Sequence, residues 1–157
     1  KEILQQIKKV DLKTFIDEFT LSIKSLTKKK DIEIINKSNH EEFVKADLQA
    51  LERIMNNLVD NALKYSEKGS SIIISTIKEN QHIKIMVSDN GIGISDEDKN
   101  HIFDRFYRTA SARASDKQGS GLGLAIVKNL TNSLNGEVGV DSKDPNGSIF
   151  WFTLPIS

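Results

Sequence analysis

Two long stretches of this chain carry apolar residues at helical spacing, and each stretch follows an aspartate that can cap a helix. The first predicted helix follows Asp11 and runs to about residue 30. The second follows Asp47, runs to about Tyr65 and is ended by Gly69. A third apolar pattern predicts a helix over residues 122–134, and a short helix is predicted around residues 96–103.

Between these helices, polar and apolar residues alternate as they do in half-buried strands. The alternation predicts strands at residues 31–34, 43–44, 71–77, 83–89, 137–141 and 148–154. The long segment from 91 to 118 has little predicted structure besides the short helix. Connections of this length inside a domain are usually lids or binding loops. The elements together predict one compact α/β domain.

Polar side chains recur along one border of the second predicted helix. With successive residues set about 100° apart, Asn57, Asn61 and Lys64 fall in a row beside the apolar face. The row is either an ordinary boundary between core and solvent or the wall of a cleft. Asp89 raises a similar question, because it continues the core-facing side of its strand and a buried carboxylate needs a partner.

Composition limits the classes of function. Lys+Arg and Asp+Glu both total 22, and the formal net charge of zero argues against a general nucleic-acid binder. The chain has no cysteine, which excludes disulfides and thiolate metal sites. No apolar stretch approaches the roughly 18 residues that span a bilayer, so no membrane contact is expected of this domain. Because the chain opens at Lys1 inside a polar helical pattern, we expect a longer parent protein.

Two glycine-rich clusters are candidates for nucleotide contacts. Residues 119–123 open the third predicted helix, where backbone amides and the helix dipole favour phosphate. This cluster lacks the spacing of the dinucleotide fingerprint and the lysine of a P-loop, and helix capping is the alternative. In residues 89–93, Asp89 could accept a hydrogen bond from the exocyclic amine of adenine, while Gly91 and Gly93 keep side chains off the base. A strand-ending turn is the alternative there.

In their order along the chain, these pieces resemble the catalytic, ATP-binding domain of sensor histidine kinases, within the gyrase-like ATPase superfamily. Residues 57–65 resemble the N box of this family, residues 89–93 its first glycine box and residues 102–108 its F box. Residues 119–123 resemble the second glycine box, and residues 146–150 the closing glycine motif. The resemblance extends from Val10 to Pro155. It implies a Bergerat-type fold, an α/β (α+β) two-layer sandwich in which a mixed, mostly antiparallel sheet packs against three helices.

The resemblance also implies how the chain is divided and what it binds. Residues 11–157 would form the catalytic domain, with a mobile ATP lid at about 93–120, and residues 1–10 would end a preceding dimerisation helix or linker. ATP and Mg²⁺ would bind between the N-box helix and the lid, with Asn57 and Asn61 facing the metal. The implied catalytic residues are Asn57, Lys64, Arg105 and Arg108. The implied ATP-binding residues are Asn57, Asn61, Lys64, Tyr65, Asp89, Gly91, Gly93, Ile94, Phe106, Arg108, Gly119, Ser120, Gly121, Leu122, Gly123 and Leu124.

One residue separates a kinase from an ATPase. Relatives that hydrolyse ATP resemble this helix but carry glutamate where Asn57 stands, and an amide cannot take a proton from water. The γ-phosphate would then be kept for another nucleophile, with Mg²⁺, Lys64 and lid arginines neutralising its charge. In the F box, Phe103, Phe106 and Tyr107 are candidates for anchoring the lid, with core packing as the alternative.

The phosphoacceptor is expected elsewhere. In the family pattern an acidic residue follows the histidine and a proline lies a few positions on, and His40, His82 and His101 do not match it. The acceptor histidine would lie in a dimerisation domain outside this chain, and a response-regulator aspartate would receive the phosphoryl group from it. The parent protein would be a membrane-anchored homodimer with this domain on the cytoplasmic side.

Two alternatives stay open at this point. One is a protein-serine kinase of the anti-sigma-factor type, which shares the fold. The other is a non-catalytic binding module whose lid only signals that nucleotide is bound. Residues 10–12 and the F box favour the histidine kinase over the serine kinase.

Overall fold

Four helices and seven strands make up the described part of the chain, which comprises residues 6–39, 41–108, 122–143 and 146–157 of a computed structural model. None of these four helices is both long and apolar enough to pass through a membrane. In chain order the elements are β1 Lys8–Asp11, α1 Leu12–Lys29, β2 Glu33–Lys37, β3 Phe43–Ala46, α2 Leu48–Tyr65, β4 Ser71–Glu79, β5 His82–Asp89, α3 Asp96–Lys99, α4 Gly123–Ser133, β6 Val138–Ser142 and β7 Ser148–Pro155.

The strands form two sheets. Five strands lie in the order β2-β4-β5-β7-β6, in which β2 and β4 are parallel and the other three pairs are antiparallel. β1 and β3 form a separate antiparallel ribbon, joined to the last residues of the chain by a bridge between Val44 and Ile156. The prediction of a mixed, mostly antiparallel sheet is confirmed.

The core lies between the large sheet and the helices. Along β5, Ile83, Ile85 and Val87 are buried while the residues between them are half-buried, which is the period expected of a strand with one covered face. α2 supplies a stripe of fully buried residues at helical spacing, which includes Leu51 and Leu58. α1 packs against β2, and α4 packs against α2. The predicted two-layer sandwich with three packed helices, α1, α2 and α4, is confirmed.

Both aspartates that were predicted to cap helices do so. The carboxylate of Asp11 accepts a hydrogen bond from the backbone nitrogen of Thr14 at 3.2 Å, at the start of α1. The carboxylate of Asp47 accepts one from the backbone nitrogen of Ala50 at 3.0 Å, at the start of α2. Each bond satisfies an amide that the first helical turn leaves without a partner, so the sequence fixes both helix starts.

α2 ends at Tyr65 as predicted, but Gly69 does not cap it. Ser66 leaves the helix in an extended conformation, with ψ 148°. Gly69 occupies a separate turn at φ +84°, where its amide donates to the carbonyl of Asp31 at 2.8 Å. This contact ties the loop after α2 to the turn after α1 and fixes the entry into β4.

The first strand was not anticipated by the sequence pattern. The family resemblance places residues 1–10 in a preceding helix or linker, whereas Lys8–Asp11 form β1 and pair with β3. Val10 is buried because it lies opposite Val44 in this ribbon. Residues 8–10 are therefore strand and not helix, while the division into a catalytic domain and a preceding segment stays a prediction.

Candidate functional site

A cavity of about 380 Å³ opens between α2, the end of β5, the segment that follows β5 and the start of α4. Most predicted site residues line it: Asn57, Asn61, Lys64, Tyr65, Asp89, Gly93, Ile94, Arg108, Leu122, Gly123 and Leu124. Three predicted residues do not line it, namely Gly91, Arg105 and Phe106. Gly119, Ser120 and Gly121 lie outside the described residues, as do His40 and the rest of residues 109–120 of the predicted lid.

The polar row of α2 forms one wall of the cavity. Asn57 donates from Nδ2 to the backbone carbonyl of Arg53 at 3.0 Å, which leaves its Oδ1 available to a ligand. That oxygen faces the start of α4, because a Cβ added to Gly123 would lie 3.2 Å from it. Half-buried Asn61 lines the same wall one helical turn later. Amide oxygens are ligands that a hard cation such as Mg²⁺ accepts.

Two charged residues of α2 also face the cavity. Lys64 is a predicted phosphate contact, whereas Asp60, three positions after Asn57 on the same row, was not predicted from the sequence. An acid and a base four residues apart on a helix commonly pair. Among the described residues, however, neither Asp60 nor Lys64 makes an ion pair. Both charges are therefore available to a ligand.

Asp89 ends β5 beside the cavity with only 3% of its surface exposed. Its Oδ1 accepts a hydrogen bond from the backbone nitrogen of Gly91 at 2.9 Å. Burial raises the pKa of the Asp89 carboxyl, and the backbone amides of Gly91 and Ser148 with the charge of Lys143 offset part of that rise. Ser148 contributes because it is the register partner of Asp89 in β7. A buried carboxylate satisfied partly by backbone can still accept a hydrogen bond from a ligand amine.

The glycines of the first cluster are required for different reasons. A Cβ at Gly91 would lie 2.6 Å from the carbonyl oxygen of Tyr65, so glycine lets the chain pass the end of α2. This close approach is by itself sufficient to require glycine at position 91. The role of Gly91 in ATP binding stays a prediction. Gly93 does line the cavity, at φ +82°, a conformation that favours glycine.

Gly147 approaches Asp89 from the start of β7, at φ +113°, and a Cβ there would lie 2.1 Å from the Asp89 carbonyl oxygen. A side chain at position 147 would therefore clash with the backbone and would also be strained by the left-handed conformation. We expect Gly147→Ala to lower the free energy of unfolding by about 3 kcal/mol and Tm by roughly 10 °C. Thermal unfolding followed by circular dichroism measures the loss. Gly69→Ala is the matched control, because its φ is +84° but nothing lies within 4 Å of the added Cβ. A loss of about 1 kcal/mol is expected there, and equal losses in both variants would contradict the steric role.

The segment after β5 brings Arg108 to the cavity but not Arg105 or Phe106. Burial raises the pKa of the Tyr65 hydroxyl, and the charge of Arg108 offsets part of that rise, so the two side chains lie near each other. Phe106 is 65% exposed, and the guanidinium carbon of Arg105 lies 5.5 Å from the centroid of its ring. In this structure both residues lie outside the cavity, and their predicted contacts with ATP stay predictions.

Part of the apolar wall of the cavity was not predicted from the sequence. Besides Asp60, the lining residues that were not predicted as site residues are Ile92, Ile102, Tyr107, Ile126, Ser148 and Phe150. Ile102 and Phe150 are 8% and 2% exposed, so by sequence they cannot be told from any other core residue. The edge of the Phe103 ring packs on Phe150 at 6.3 Å between centroids and 76° between planes. These residues give the cavity an apolar surface that suits an aromatic base.

The cavity has the chemistry of a nucleotide site with a metal. Apolar walls and the buried acceptor of Asp89 suit a purine with an exocyclic amine. Lys64 suits a polyphosphate, and the missing side chain of Gly123 leaves room at the start of α4. No three acidic or histidine side chains of the described residues gather to hold a metal. The oxygens of Asn57 and Asn61, which line the cavity, are the candidate ligands. These residues fit ATP with Mg²⁺.

A mixed sheet under three helices, with a nucleotide cavity beside α2, defines an ATP-binding domain. The chain belongs to the family described as histidine kinase-, DNA gyrase B-, and HSP90-like ATPases, whose model matches residues 46–157. It is similar to the sensor-like histidine kinase SenX3 of Mycobacterium tuberculosis, with 38% identity over 154 residues that cover 98% of this chain and 38% of SenX3. The resemblance stated from the sequence is confirmed.

Two solved structures extend the comparison. The mycobacterial sensor histidine kinase MprB is 29% identical, with a TM-score of 0.82 over 96% of this chain and 98% of that one. Full-length ShkA in complex with AMPPNP is 26% identical, with a TM-score of 0.85 over 100% of this chain and 32% of that one. This chain thus spans about a third of ShkA and 38% of SenX3.

Proposed function

We propose that this domain transfers the γ-phosphate of Mg²⁺-ATP to a histidine of a dimerisation domain in its parent protein, as an ATP:protein-histidine phosphotransferase. The observation that carries the proposal is a single cavity that unites the amides of Asn57 and Asn61, the charge of Lys64 and the buried carboxylate of Asp89. The family model and the sensor kinase relatives support the same activity.

Each wall of the cavity has its own part in nucleotide binding. Asp89 accepts a hydrogen bond from the adenine amine, and Tyr65 and Ile94 pack beside the base. Lys64 and Arg108 direct positive charge at the phosphates, together with the backbone at residues 122–124. Mg²⁺, held by the oxygens of Asn57 and Asn61, neutralises phosphate charge when it is bound.

Asn57 favours transfer over hydrolysis. Its Nδ2 is engaged with the carbonyl of Arg53, and a carboxamide oxygen does not accept a proton from water at neutral pH. The γ-phosphate is therefore kept for a stronger nucleophile, the imidazole nitrogen of the acceptor. Asp60 is an exposed carboxylate on the same wall, so phosphate release in the absence of acceptor tests whether it activates water.

The partners follow from this chemistry. The first is the dimerisation domain that carries the acceptor histidine, and the second is a response regulator whose aspartate takes the phosphoryl group onward. We further propose that the parent protein is a membrane-anchored homodimer that holds this domain on the cytoplasmic side. The chain covers 38% of SenX3 and 22% of the sensor histidine kinase WalK of Bacillus subtilis, which supports a longer parent protein of which the present chain would be the catalytic part.

Phosphorylation in trans tests the proposal. The purified domain, radiolabelled ATP and Mg²⁺ are mixed with the separately expressed dimerisation domain of the parent protein. We expect label on that domain that is lost in acid and retained in base, as phosphohistidine is, and no label when the acceptor histidine is replaced by glutamine. Release of free phosphate without acceptor is expected to be much slower than transfer.

The same experiment separates the alternatives. Acid-stable label on a serine would indicate a protein-serine kinase and contradict the proposal. Binding of ATP without any transfer would indicate a nucleotide-dependent binding module. Rapid phosphate release that depends on Asp60 would indicate an ATPase.

A further inference from the structure

The chain between α3 and Arg108 folds back on itself and is closed by side-chain and backbone contacts. The hydroxyl of Tyr107 donates a hydrogen bond to the carboxylate of Asp98, in α3. The ring of His101 lies against the ring of Tyr107, with 5.5 Å between centroids. The backbone nitrogen of Tyr107 donates to the carbonyl of Asp104 at 3.2 Å. Three contacts therefore converge on Tyr107 from residues earlier in the same segment.

The residue before Tyr107 takes a backbone conformation that needs such support. Phe106 has φ +66°, in the left-handed region that bulky side chains rarely adopt. Its side chain is 65% exposed, so burial of the ring does not account for this conformation. Conformations of this kind persist when the surrounding structure fixes them. Phe103 holds the turn on one side through its contact with Phe150, and Tyr107 holds it on the other.

The turn decides where Arg108 lies. Arg108 directly follows Tyr107, and both residues line the cavity. An arginine side chain has many rotamers, and its planar guanidinium binds a phosphate best when its backbone is fixed. A bond that anchors Tyr107 to α3 therefore fixes the origin of the Arg108 side chain at the edge of the cavity.

We propose that Asp98 and Tyr107 are positioning residues that hold Arg108 toward the phosphates of the bound nucleotide. We call the Tyr107–Asp98 hydrogen bond the latch. The inference rests on the proposed function, because it takes the phosphates as the target of Arg108. Asp98 does not line the cavity, so its effect on nucleotide binding is transmitted through Arg108.

The test uses Tyr107→Phe, which keeps the ring in the cavity wall and removes only the hydroxyl. Dissociation constants for AMPPNP with Mg²⁺ and for adenosine are measured by titration. We expect AMPPNP to bind roughly fivefold more weakly, as for the loss of one hydrogen bond, while adenosine binding is unchanged. Asp98→Ala should match this loss, and Asp98→Asn, which keeps an acceptor oxygen, should restore part of it. Asp104→Ala is the matched control with no expected change, because the side chain of Asp104 bonds His101 and not the Tyr107 hydroxyl, and alanine keeps the backbone carbonyl that accepts from Tyr107.

A double-mutant cycle shows whether the latch acts through Arg108. Arg108→Ala alone should weaken AMPPNP binding roughly 30-fold and leave adenosine binding unchanged. In that background, Tyr107→Phe should add no further loss, since the positioned group is gone. A fivefold loss that persists without Arg108, or an equal loss for adenosine, would overturn the latch. Thermal unfolding of each variant confirms that the fold is kept.

The cycle also distinguishes failure of the latch from failure of the proposed function. If Arg108→Ala weakens AMPPNP binding but Tyr107→Phe does not, the latch is wrong and the role of Arg108 stands. If Arg108→Ala has no effect on AMPPNP, the phosphate role of Arg108 is wrong and the latch is wrong with it. If wild-type protein binds no AMPPNP, the proposed function itself is wrong.

Discussion

Replacing Asn61 with alanine is expected to reduce phosphotransfer to the dimerisation domain by at least about 100-fold. Asn61 is half-buried in the cavity wall and makes no hydrogen bond to another described residue, so alanine should leave the fold undisturbed. What it removes is one of two amide oxygens offered to Mg²⁺. Phosphoryl transfer depends mainly on positioning and charge neutralisation, so the loss of a metal ligand should act chiefly on the rate of transfer.

Two measurements identify the cause of that loss. Initial rates of transfer in trans are compared over a series of Mg²⁺ concentrations, and nucleotide binding is titrated with and without the metal. We expect Asn61→Ala to weaken binding with Mg²⁺ and to leave metal-free binding nearly unchanged. Asn56→Ala is the matched control, since Asn56 is an exposed asparagine of α2 outside the cavity. Transfer at the wild-type rate by Asn61→Ala would remove the metal role.

Asp89→Asn should weaken ATP binding by about 2 kcal/mol, roughly 30-fold. The carboxylate serves the amides of Gly91 and Ser148 and still has acceptor capacity at the cavity. An asparagine has only one acceptor oxygen, which the backbone amides would occupy. Its NH₂ group would then face the adenine amine, and two hydrogen-bond donors cannot bond to each other. Calorimetric titration with AMPPNP measures the loss. Asp141→Asn, the same change at an exposed residue of β6, should bind normally. Unchanged affinity in Asp89→Asn would refute the adenine role.

The stability of Asp89→Asn should change in the opposite direction from its affinity. Burial raises the pKa of Asp89 in the folded protein, so the unfolded chain releases this proton at lower pH than the folded one. The contribution of Asp89 to the stability of the wild type therefore falls as pH rises from the ordinary carboxyl pKa through the raised folded value. Asparagine has no such proton. We expect the variant to unfold at a higher temperature than wild type at neutral pH, and at a similar temperature below that window.

Local features of the fold were predictable because their causes are local. Asp11 and Asp47 each bond a backbone amide three residues ahead, so a cap can be recognised from a few residues of sequence. The position of Asn57 and Asn61 on one side of α2 follows from helical geometry alone. The role of Gly69 could not be predicted from local sequence. Glycine occurs at this position because the chain turns there against Asp31, which belongs to a distant segment.

The candidate site depends on such distant contacts. Nothing in the local pattern places Gly123 against the Oδ1 of Asn57, or Ser148 opposite Asp89. The apolar lining residues have the same periodicity as the core, and only the packing of the layers exposes them to a cavity. No sequence pattern indicates that Asp98 bonds Tyr107. The turn between them depends on the left-handed conformation of Phe106, which residue propensities do not predict.

By itself, the sequence determined the helix starts, the alternation of the strands, the polar row of α2 and, through the ordered boxes, the family. Tertiary structure alone decided that β1 belongs to the folded unit, that Arg108 and not Arg105 reaches the cavity, and that Asp60 joins its wall. The physical reason is that helices and strands are set by repeating interactions over a few residues. A cavity exists only where elements far apart in the chain pack incompletely against one another.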